Sequence, residues 1–227
     1  MATLQRASLR RSTLAEQAYR TLRERIVKGD LPAGHRLLPE EIGQALSISP
    51  TPVKEALAML QRDGLIEVSA RRGSTVRRFS ARDVADLYDA RLTIEARAIG
   101  VGLAAGRVDA AFLARLDACA AALAERSRHR SRAELRQALR LDHDLHTLIV
   151  ALAGNAVLAD WHQRLLRQTQ LVRVYSLRAF DAGRLERAQQ EHAAIIAALH
   201  AQDAPAAQRA LETHLATSCA NVLAEYA

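Results

Sequence analysis

Residues 36–79 combine two closely spaced helical segments with two short strand-like segments, and this order most constrains the fold. The pattern predicts a first helix over 39–46 and a second helix that begins at Pro50 or at the next residue. Ser49 is a good N-cap residue, and a proline in the first turn of a helix removes an N–H that has no partner there. The spacing is that of a helix-turn-helix.

The second helix has two chemically different faces. Its apolar residues recur at helical spacing and are expected to face inward: Val53, Ala56, Leu57 and Leu60. The opposite face is available to a DNA major groove, and it carries Thr51, Lys54, Glu55 and Ala58. After Gly64, the runs 65–69 and 74–78 alternate as strands do, and a basic turn at 70–73 joins them. The prediction is therefore a β-hairpin wing with a basic tip.

The charge of the chain is concentrated in this segment. Residues 1–79 hold 14 Lys and Arg against 8 Asp and Glu, a net charge of +6, whereas the whole chain carries +7. An ordinary helical hairpin with a solvated charged face would explain the spacing alone. It does not explain why the positive charge gathers here, which is what neutralisation of DNA phosphates requires.

The rest of the chain is predicted to be helical. Ser80 can cap a helix that opens with Asp83, which places a domain joint after residue 79. Beyond it the sequence is rich in Ala and Leu, without strand-like alternation. Six helices are expected, at 83–105, 109–127, 131–153, 156–180, 184–201 and 204–225. The fold class is thus mainly α, with an N-terminal winged helix-turn-helix and a C-terminal antiparallel bundle.

Two further features bear on the compartment. No apolar run approaches the ~20 residues that span a bilayer, and the basic N-terminus has no apolar segment after it. Cys119 and Cys219 lack metal-binding spacing and are expected to be reduced core thiols. We therefore expect a soluble, cytoplasmic protein with no membrane partner.

The run GDLPAGHRL, EEIGQALSISPTPVKEAL, DGLIEV and RRGSTV resembles the N-terminal domain of GntR-type bacterial transcription regulators. Beyond residue 80 the chain resembles the helical FCD domain of the FadR-like subfamily, in its shorter VanR-like branch. The resemblance implies a DNA-binding domain at 1–79, an effector and dimerisation domain at 80–227, and a homodimer on double-stranded operator DNA. It further implies a location at the nucleoid of a bacterial cell. It also implies the DNA-binding residues, which are Thr51, Lys54, Arg71, Arg72 and Gly73.

One position departs from the family pattern. Where such regulators usually carry Ser-Arg-Thr-Pro-Val-Arg, this chain has Pro50 in place of the first arginine and Lys54 in place of the second. Lysine is a point charge without the planar fork that makes bidentate contacts. A protein-interaction adaptor that has lost its DNA contacts therefore remains an alternative.

Polar residues interrupt the apolar stripes of three bundle helices. Asp142 and His146 lie on the apolar face of the third bundle helix, and His192 and His214 lie on those of the fifth and sixth. Each alone is explained as a hydrogen-bonded core residue, but burying all four without partners costs several kcal/mol. A divalent metal, whether Zn, Ni, Cu, Mn or Fe, satisfies them together. The resemblance adds weight, since many FCD domains bind metal through an Asp-x-x-x-His pair and two later histidines.

The first bundle helix holds a second anomaly, Arg91 and Glu95 on its apolar face within RLTIEARA. A buried ion pair is one explanation. The other is an effector-binding pair, in which Arg91 clamps a small carboxylate effector near the metal, and similar FCD proteins place an arginine of this helix near the ligand. Arg173 is expected to be only a surface charge.

An enzyme is the rival class of function. His143 and Asp144 resemble the doublet of HD-type metal-dependent hydrolases, but both are predicted to lie off the inward stripe. The metal motifs of di-iron bundles and zinc proteases are missing, as is a glycine-rich phosphate loop, so no catalytic role is expected.

Trp161 is expected on the core side of its helix, and the remaining histidines are expected to be solvated or structural: His35, His129, His143, His162 and His200.

Overall fold

The computed structural model describes residues 12–128, 131–175 and 182–226, and they form two compact units. The first unit ends at Arg78 and the second begins at Phe79. His129 and the predicted end of the fourth bundle helix lie outside the described residues.

The first unit is a three-helix domain with a small sheet. Its elements are α1 (Leu14–Lys28), β1 (Arg36–Leu37), α2 (Pro39–Leu46), α3 (Pro50–Arg62), β2 (Ile66–Ser69) and β3 (Gly73–Val76). A capping box opens α1, because the Thr13 hydroxyl accepts from the backbone of Glu16 and the Glu16 carboxylate accepts from the backbone of Thr13. The inward residues predicted for α3 are all buried, so the helix-turn-helix is confirmed.

The turn between α2 and α3 depends on two backbone features. Ser47 adopts the left-handed conformation at φ 56°, and a Cβ on Gly43 would lie 2.8 Å from the carbonyl oxygen of Ile48. Glycine is therefore required for the close approach. Ser49 is the N-cap of α3, as expected, but its side chain makes no capping hydrogen bond. The residue at N3 is Pro52, which has no N–H to donate.

The wing contains one strand more than the sequence predicts. The strands lie in the order β1-β3-β2 and are antiparallel. Glu67 of β2 and Arg36 of β1 both lie opposite Thr75 of the central strand. β1 is only two residues long, too short to show a period-2 pattern in the sequence.

The second unit contains six helices among the residues described, as the sequence predicts. They are α4 (Ala81–Ala104), α5 (Ala110–Ser127), α6 (Arg132–Ala151), α7 (Ala156–Tyr175), α8 (Ala182–His200) and α9 (Ala204–Leu223). The predicted Ser80–Asp83 cap is present at the start of α4 as a full capping box. None of the described helices is long and apolar enough to cross a bilayer.

Three expectations about individual side chains are wrong or incomplete. Trp161 is 54% exposed on α7, so it does not face the core. Cys119 and Cys219 are free thiols, but they are half-buried rather than core residues.

Candidate metal centre and DNA-binding elements

Four side chains from three helices converge inside the second unit. Asp142 and His146 lie one turn apart on α6, His192 lies on α8, and His214 lies on α9. All four are buried, and one ligand atom from each lies within 4.8 Å of the others. The four residues that the sequence pattern indicates are therefore close together in the fold.

The three imidazoles of this cluster are packed against one another. The His192 and His214 ring centroids are 4.2 Å apart, and those of His146 and His214 are 5.2 Å apart. Nε2 of His146 and both ring nitrogens of His192 are buried without a hydrogen-bond partner. A buried polar atom without a partner lowers the stability of the fold, and a ligand bound to these nitrogens would remove that cost.

Two of the histidines are oriented by carboxylates. Nδ1 of His146 lies 2.6 Å from Oε2 of Glu95, and Nδ1 of His214 lies 3.0 Å from Oε2 of Glu191. A carboxylate accepts a hydrogen bond, so in a neutral ring each contact places the proton on Nδ1 and leaves Nε2 with its lone pair. Histidine ligands of metal ions in proteins are held in this way.

The fourth member of the cluster is ionised. Burial opposes ionisation of Asp142, but the Arg173 guanidinium and the neighbouring histidines hold the pKa of its carboxyl well below the usual range. Arg173 NH1 donates to Oδ2 of Asp142, and Oδ1 lies 3.5 Å from Nε2 of His192. Arg173 is therefore not the surface charge that the sequence suggested.

Burial also disfavours the charged form of the histidines. It lowers the pKa of His146, and burial together with the nearby His214 holds the pKa of His192 well below its usual range. Both imidazoles are therefore neutral near pH 7. A neutral imidazole can bind a metal ion without first losing a proton.

Arg91 and Glu95 form a buried ion pair, with 1% and 0% of their side chains exposed. Oε1 of Glu95 accepts from Nε of Arg91 and from Nε2 of His162, each at 2.9 Å, and Oε2 accepts from His146. Both carboxylate oxygens are thus engaged by protein groups, which differs from the predicted effector contact of Glu95. NH2 of Arg91, in contrast, is buried without a hydrogen-bond partner.

Three adjoining spaces surround these charged groups. A groove of about 480 Å³ between α5 and α8 reaches His192, and its wall is otherwise rich in alanine. It shares Gln189 and His192 with a cavity of about 30 Å³, which in turn shares Asp142 and Arg173 with a cavity of about 10 Å³ beside Arg91. The smallest space holds about one water molecule, so a larger ligand requires side chains to move.

Two further histidines lie in this region, although their positions in the sequence do not predict a place there. His162 is fully buried on α7 and contacts Glu95, and half-buried His143 lines the smallest cavity, where burial lowers its pKa to about 3. Neighbouring Asp144 is exposed, so the two residues do not form a converging HD site. His35 and His200 are exposed, as expected, and His200 lies 3.1 Å from Asp117. The partner of His162 is Glu95 on α4, a contact between helices that the sequence of α7 alone does not indicate.

The residues predicted to bind DNA are all accessible in the first unit. Thr51 and Lys54 are exposed near the start of α3, and Arg71 and Arg72 are exposed in the turn between β2 and β3. Gly73 has φ +66°, a conformation that other residues adopt only with strain.

The four-residue cluster has the chemistry of a divalent metal site. Three imidazole nitrogens and one carboxylate suit Zn, Ni, Mn or Fe. Ligand atoms around a tetrahedral metal ion lie about 3.3 Å apart, and two ligand atoms in line across a metal lie about 4.2 Å apart, twice a typical metal–nitrogen distance. The ligand atoms here are separated by up to 4.8 Å, so they have to move closer together to share one ion.

Comparison with known proteins identifies both units. Residues 14–76 match the gntR family of bacterial regulatory proteins, and residues 86–217 match the FCD domain. The HTH-type transcriptional regulator BphR of Paraburkholderia xenovorans is 28% identical over 211 residues, 91% of this chain and 84% of that protein. The HTH-type transcriptional repressor GlaR of Escherichia coli is 26% identical over 210 residues, 88% of this chain and 91% of that protein.

The solved structure of Escherichia coli McbR/YncC has the same fold. It matches with a TM-score of 0.80 at 20% identity and covers 96% of this chain and 100% of that one. The matching families and relatives are regulators rather than enzymes, and nothing in these comparisons supports the metal-dependent hydrolase. The chain is therefore a DNA-binding transcriptional regulator of the bacterial GntR family, with an FCD domain after its winged helix-turn-helix.

Proposed function

We propose that the operator affinity of this regulator is controlled by a small carboxylate effector, which binds beside a divalent metal in the helical bundle. The metal is held by Asp142, His146, His192 and His214. The observation that carries the proposal is the burial of these four residues together, with three imidazole nitrogens left without partners.

Charge supports the metal half of the proposal. Asp142 is held in its ionised form, and burial keeps His146 and His192 neutral, so the donors have the protonation states that a cation needs. When bound, the metal supplies a fixed positive charge and coordination positions for an anion. Glu95 and Glu191 hold the histidine rings with Nε2 available.

Arg91 supports the effector half. Its NH2 group is a buried cationic donor with no hydrogen-bond partner, and it lines the smallest cavity together with Asp142 and Arg173. A carboxylate is the natural acceptor for such a group. Because the space holds about one water molecule, entry of a carboxylate requires Arg173 to move relative to Asp142. The groove between α5 and α8 provides access to the region.

Control of DNA binding by an effector requires that the bundle has two states. An effector shifts an equilibrium only if it binds one state more tightly than the other. We expect a homodimer, in which this shift alters the spacing of two winged domains on an imperfect palindrome. The first unit provides one exposed α3 face and one basic wing per chain.

The metal site is tested by metal analysis of protein purified without a histidine tag. His192→Ala and His214→Ala should each abolish stoichiometric metal, while His200→Ala should keep it, since His200 is an exposed residue on the same helix as His192. Full metal occupancy in the double variant His192→Ala/His214→Ala would refute the site.

Effector control is tested by mobility shift on DNA from the regulator's own upstream region, at stated salt. A panel of small carboxylates should contain one that changes the operator affinity of metal-loaded protein and has less effect after chelation. Loss of metal with retained DNA binding supports a separate sensing domain. A regulator that binds DNA identically with every carboxylate and with chelator contradicts the proposal.

A further inference from the structure

We infer that Glu95 is the positioning residue of this centre, which fixes the ring of His146 and neutralises Arg91 so that a metal can bind beside a buried arginine. This inference rests on the proposed metal function, and it deepens that function by naming what makes the site compatible with an arginine as its neighbour.

Both carboxylate oxygens of Glu95 are hydrogen-bonded to other side chains. Its carboxylate is 0% exposed and receives three hydrogen bonds, from Arg91 on its own helix, from His146 on α6 and from His162 on α7. A single carboxylate thus ties three helices together directly behind one of the four candidate ligands.

Arg91 makes this negative charge necessary. Its guanidinium is 1% exposed and binds the same carboxylate that contacts His146, so its positive charge lies one residue away from a candidate ligand. In a poorly solvated interior such a charge opposes a divalent cation. Glu95 lies between the two, because one of its oxygens binds Arg91 and the other binds His146.

His162 holds Glu95 in this position. Its Nε2 lies 2.9 Å from Oε1, so the ring donates from Nε2 and leaves Nδ1 without a hydrogen-bond partner. The ring is buried, and it lies outside the four-residue cluster. His162 therefore acts on the centre through Glu95 rather than as a ligand.

Glu191 provides a matched control within the same chain. It also contacts Nδ1 of a candidate ligand, His214, but its side chain is 12% exposed. It makes one described hydrogen bond to a histidine, whereas Glu95 makes two and also binds an arginine. Both carboxylates orient a ring, but Glu95 forms a fully buried ion pair with Arg91, whereas the arginine that acts on Glu191, Arg187, does so from the surroundings of a partly exposed carboxylate.

The first experiment measures Zn²⁺ affinity of the full-length protein by competition with a chromophoric chelator. Glu95→Gln should weaken Zn²⁺ binding by about 10–100-fold, the usual effect of losing a group that orients a ligand. Glu191→Gln should weaken it less, and Arg91→Gln should strengthen it. The double variant Arg91→Gln/Glu95→Gln should bind Zn²⁺ more tightly than Glu95→Gln does.

This pattern of opposite signs separates positioning from a general loss of packing, because a damaged fold would weaken Zn²⁺ binding in every variant. Equal losses in Glu95→Gln and Glu191→Gln overturn the inference, as does weaker binding in Arg91→Gln. If Glu95→Gln does not fold, the sign of the Arg91→Gln effect still decides whether the arginine opposes the metal.

A second experiment does not need the metal. In metal-free protein labelled with ¹⁵N-histidine, the long-range ¹H–¹⁵N spectrum should show His146 protonated at Nδ1 and His162 protonated at Nε2. Glu95→Gln, which offers one acceptor oxygen for three donors, should produce a mixture of tautomers. A His146 ring protonated at Nε2 in the unmodified protein overturns the inference. Wild-type protein that binds no Zn²⁺ while showing the expected tautomers refutes the metal function instead.

Discussion

The guanidinium of Arg173, on α7, donates a hydrogen bond to Oδ2 of Asp142, on α6. This contact joins the only carboxylate of the four-residue cluster to a cation that is 23% exposed. Both side chains also line the two smaller cavities. If a metal binds as we propose, Arg173 would compete with it for the charge of Asp142, and would be available to bind an anion once the metal had taken that charge.

Arg173→Gln should raise the affinity for Zn²⁺ by about tenfold, or about 1.4 kcal/mol, because it removes a positive charge that faces the cation. It should also reduce the response of DNA binding to carboxylates. Chelator competition measures the first effect. Arg164→Gln is the matched control, since Arg164 forms an exposed pair with Asp160 on the same helix and should leave Zn²⁺ binding unchanged. Weaker Zn²⁺ binding in Arg173→Gln would show that Arg173 orients Asp142 rather than competing for it.

Removal of the metal should lower thermal stability. A metal at 100 times its dissociation constant stabilises the folded state by about 2.7 kcal/mol, which corresponds to roughly 5–10 °C in a protein of this size. Differential scanning fluorimetry with and without chelator measures the change. His200→Ala should keep the chelator effect and His192→Ala should lose it. An identical chelator effect in both variants would place the metal elsewhere.

The helices of this protein are predictable from its sequence because apolar residues recur at helical spacing and caps mark the boundaries. The Ser80–Asp83 box and the buried face of α3 are examples. β1 is not predictable, since two residues define no period and its pairing with β3 is set by the tertiary fold. Trp161 is predicted to face the core but is exposed, because an aromatic residue at helical spacing need not be covered by another helix.

The cluster itself was predictable, since four polar residues occupied positions that the pattern reserves for apolar ones. What surrounds it was not. Arg173 reaches Asp142 from a partly exposed position, because a long side chain can bring its charge far from its Cα. Glu95 shares an apolar face with Arg91, but its contacts with His146 and His162 depend on how three helices pack.

In the first unit, Lys54→Ala should weaken operator binding by about 1–3 kcal/mol if the exposed ammonium group reaches a base edge. Zn²⁺ content should not change, because the residue lies in the other unit. Fluorescence anisotropy on the operator measures the affinity, and Arg128→Ala, an exposed charge of the second unit, is the control. Equal operator affinity in the Lys54→Ala and Arg128→Ala variants would remove Lys54 from the contact surface.

The wing arginines should act on all DNA sequences alike. Arg71→Ala and Arg72→Ala each remove one exposed positive charge from the turn between β2 and β3. If each arginine neutralises one phosphate, the slope of log affinity against log salt should decrease by roughly one unit per variant. Titrations at several salt concentrations, on operator and on unrelated DNA, measure this. Loss of affinity for the operator alone would indicate base recognition instead.

Pro50→Arg should tighten DNA binding and change the sequence preference, with Zn²⁺ content unaffected. Pro50 is partly exposed at the first position of α3, one residue before Thr51, so an arginine there adds a bidentate donor to the exposed face of the helix. The substitution also restores an N–H at a position where it needs no helical partner, so little loss of stability is expected. Selection from a randomised DNA pool, followed by affinity measurement on the selected sites, compares the two proteins. If Pro50→Arg changes neither affinity nor preference and Lys54→Ala is also silent, α3 is not the helix that contacts the bases.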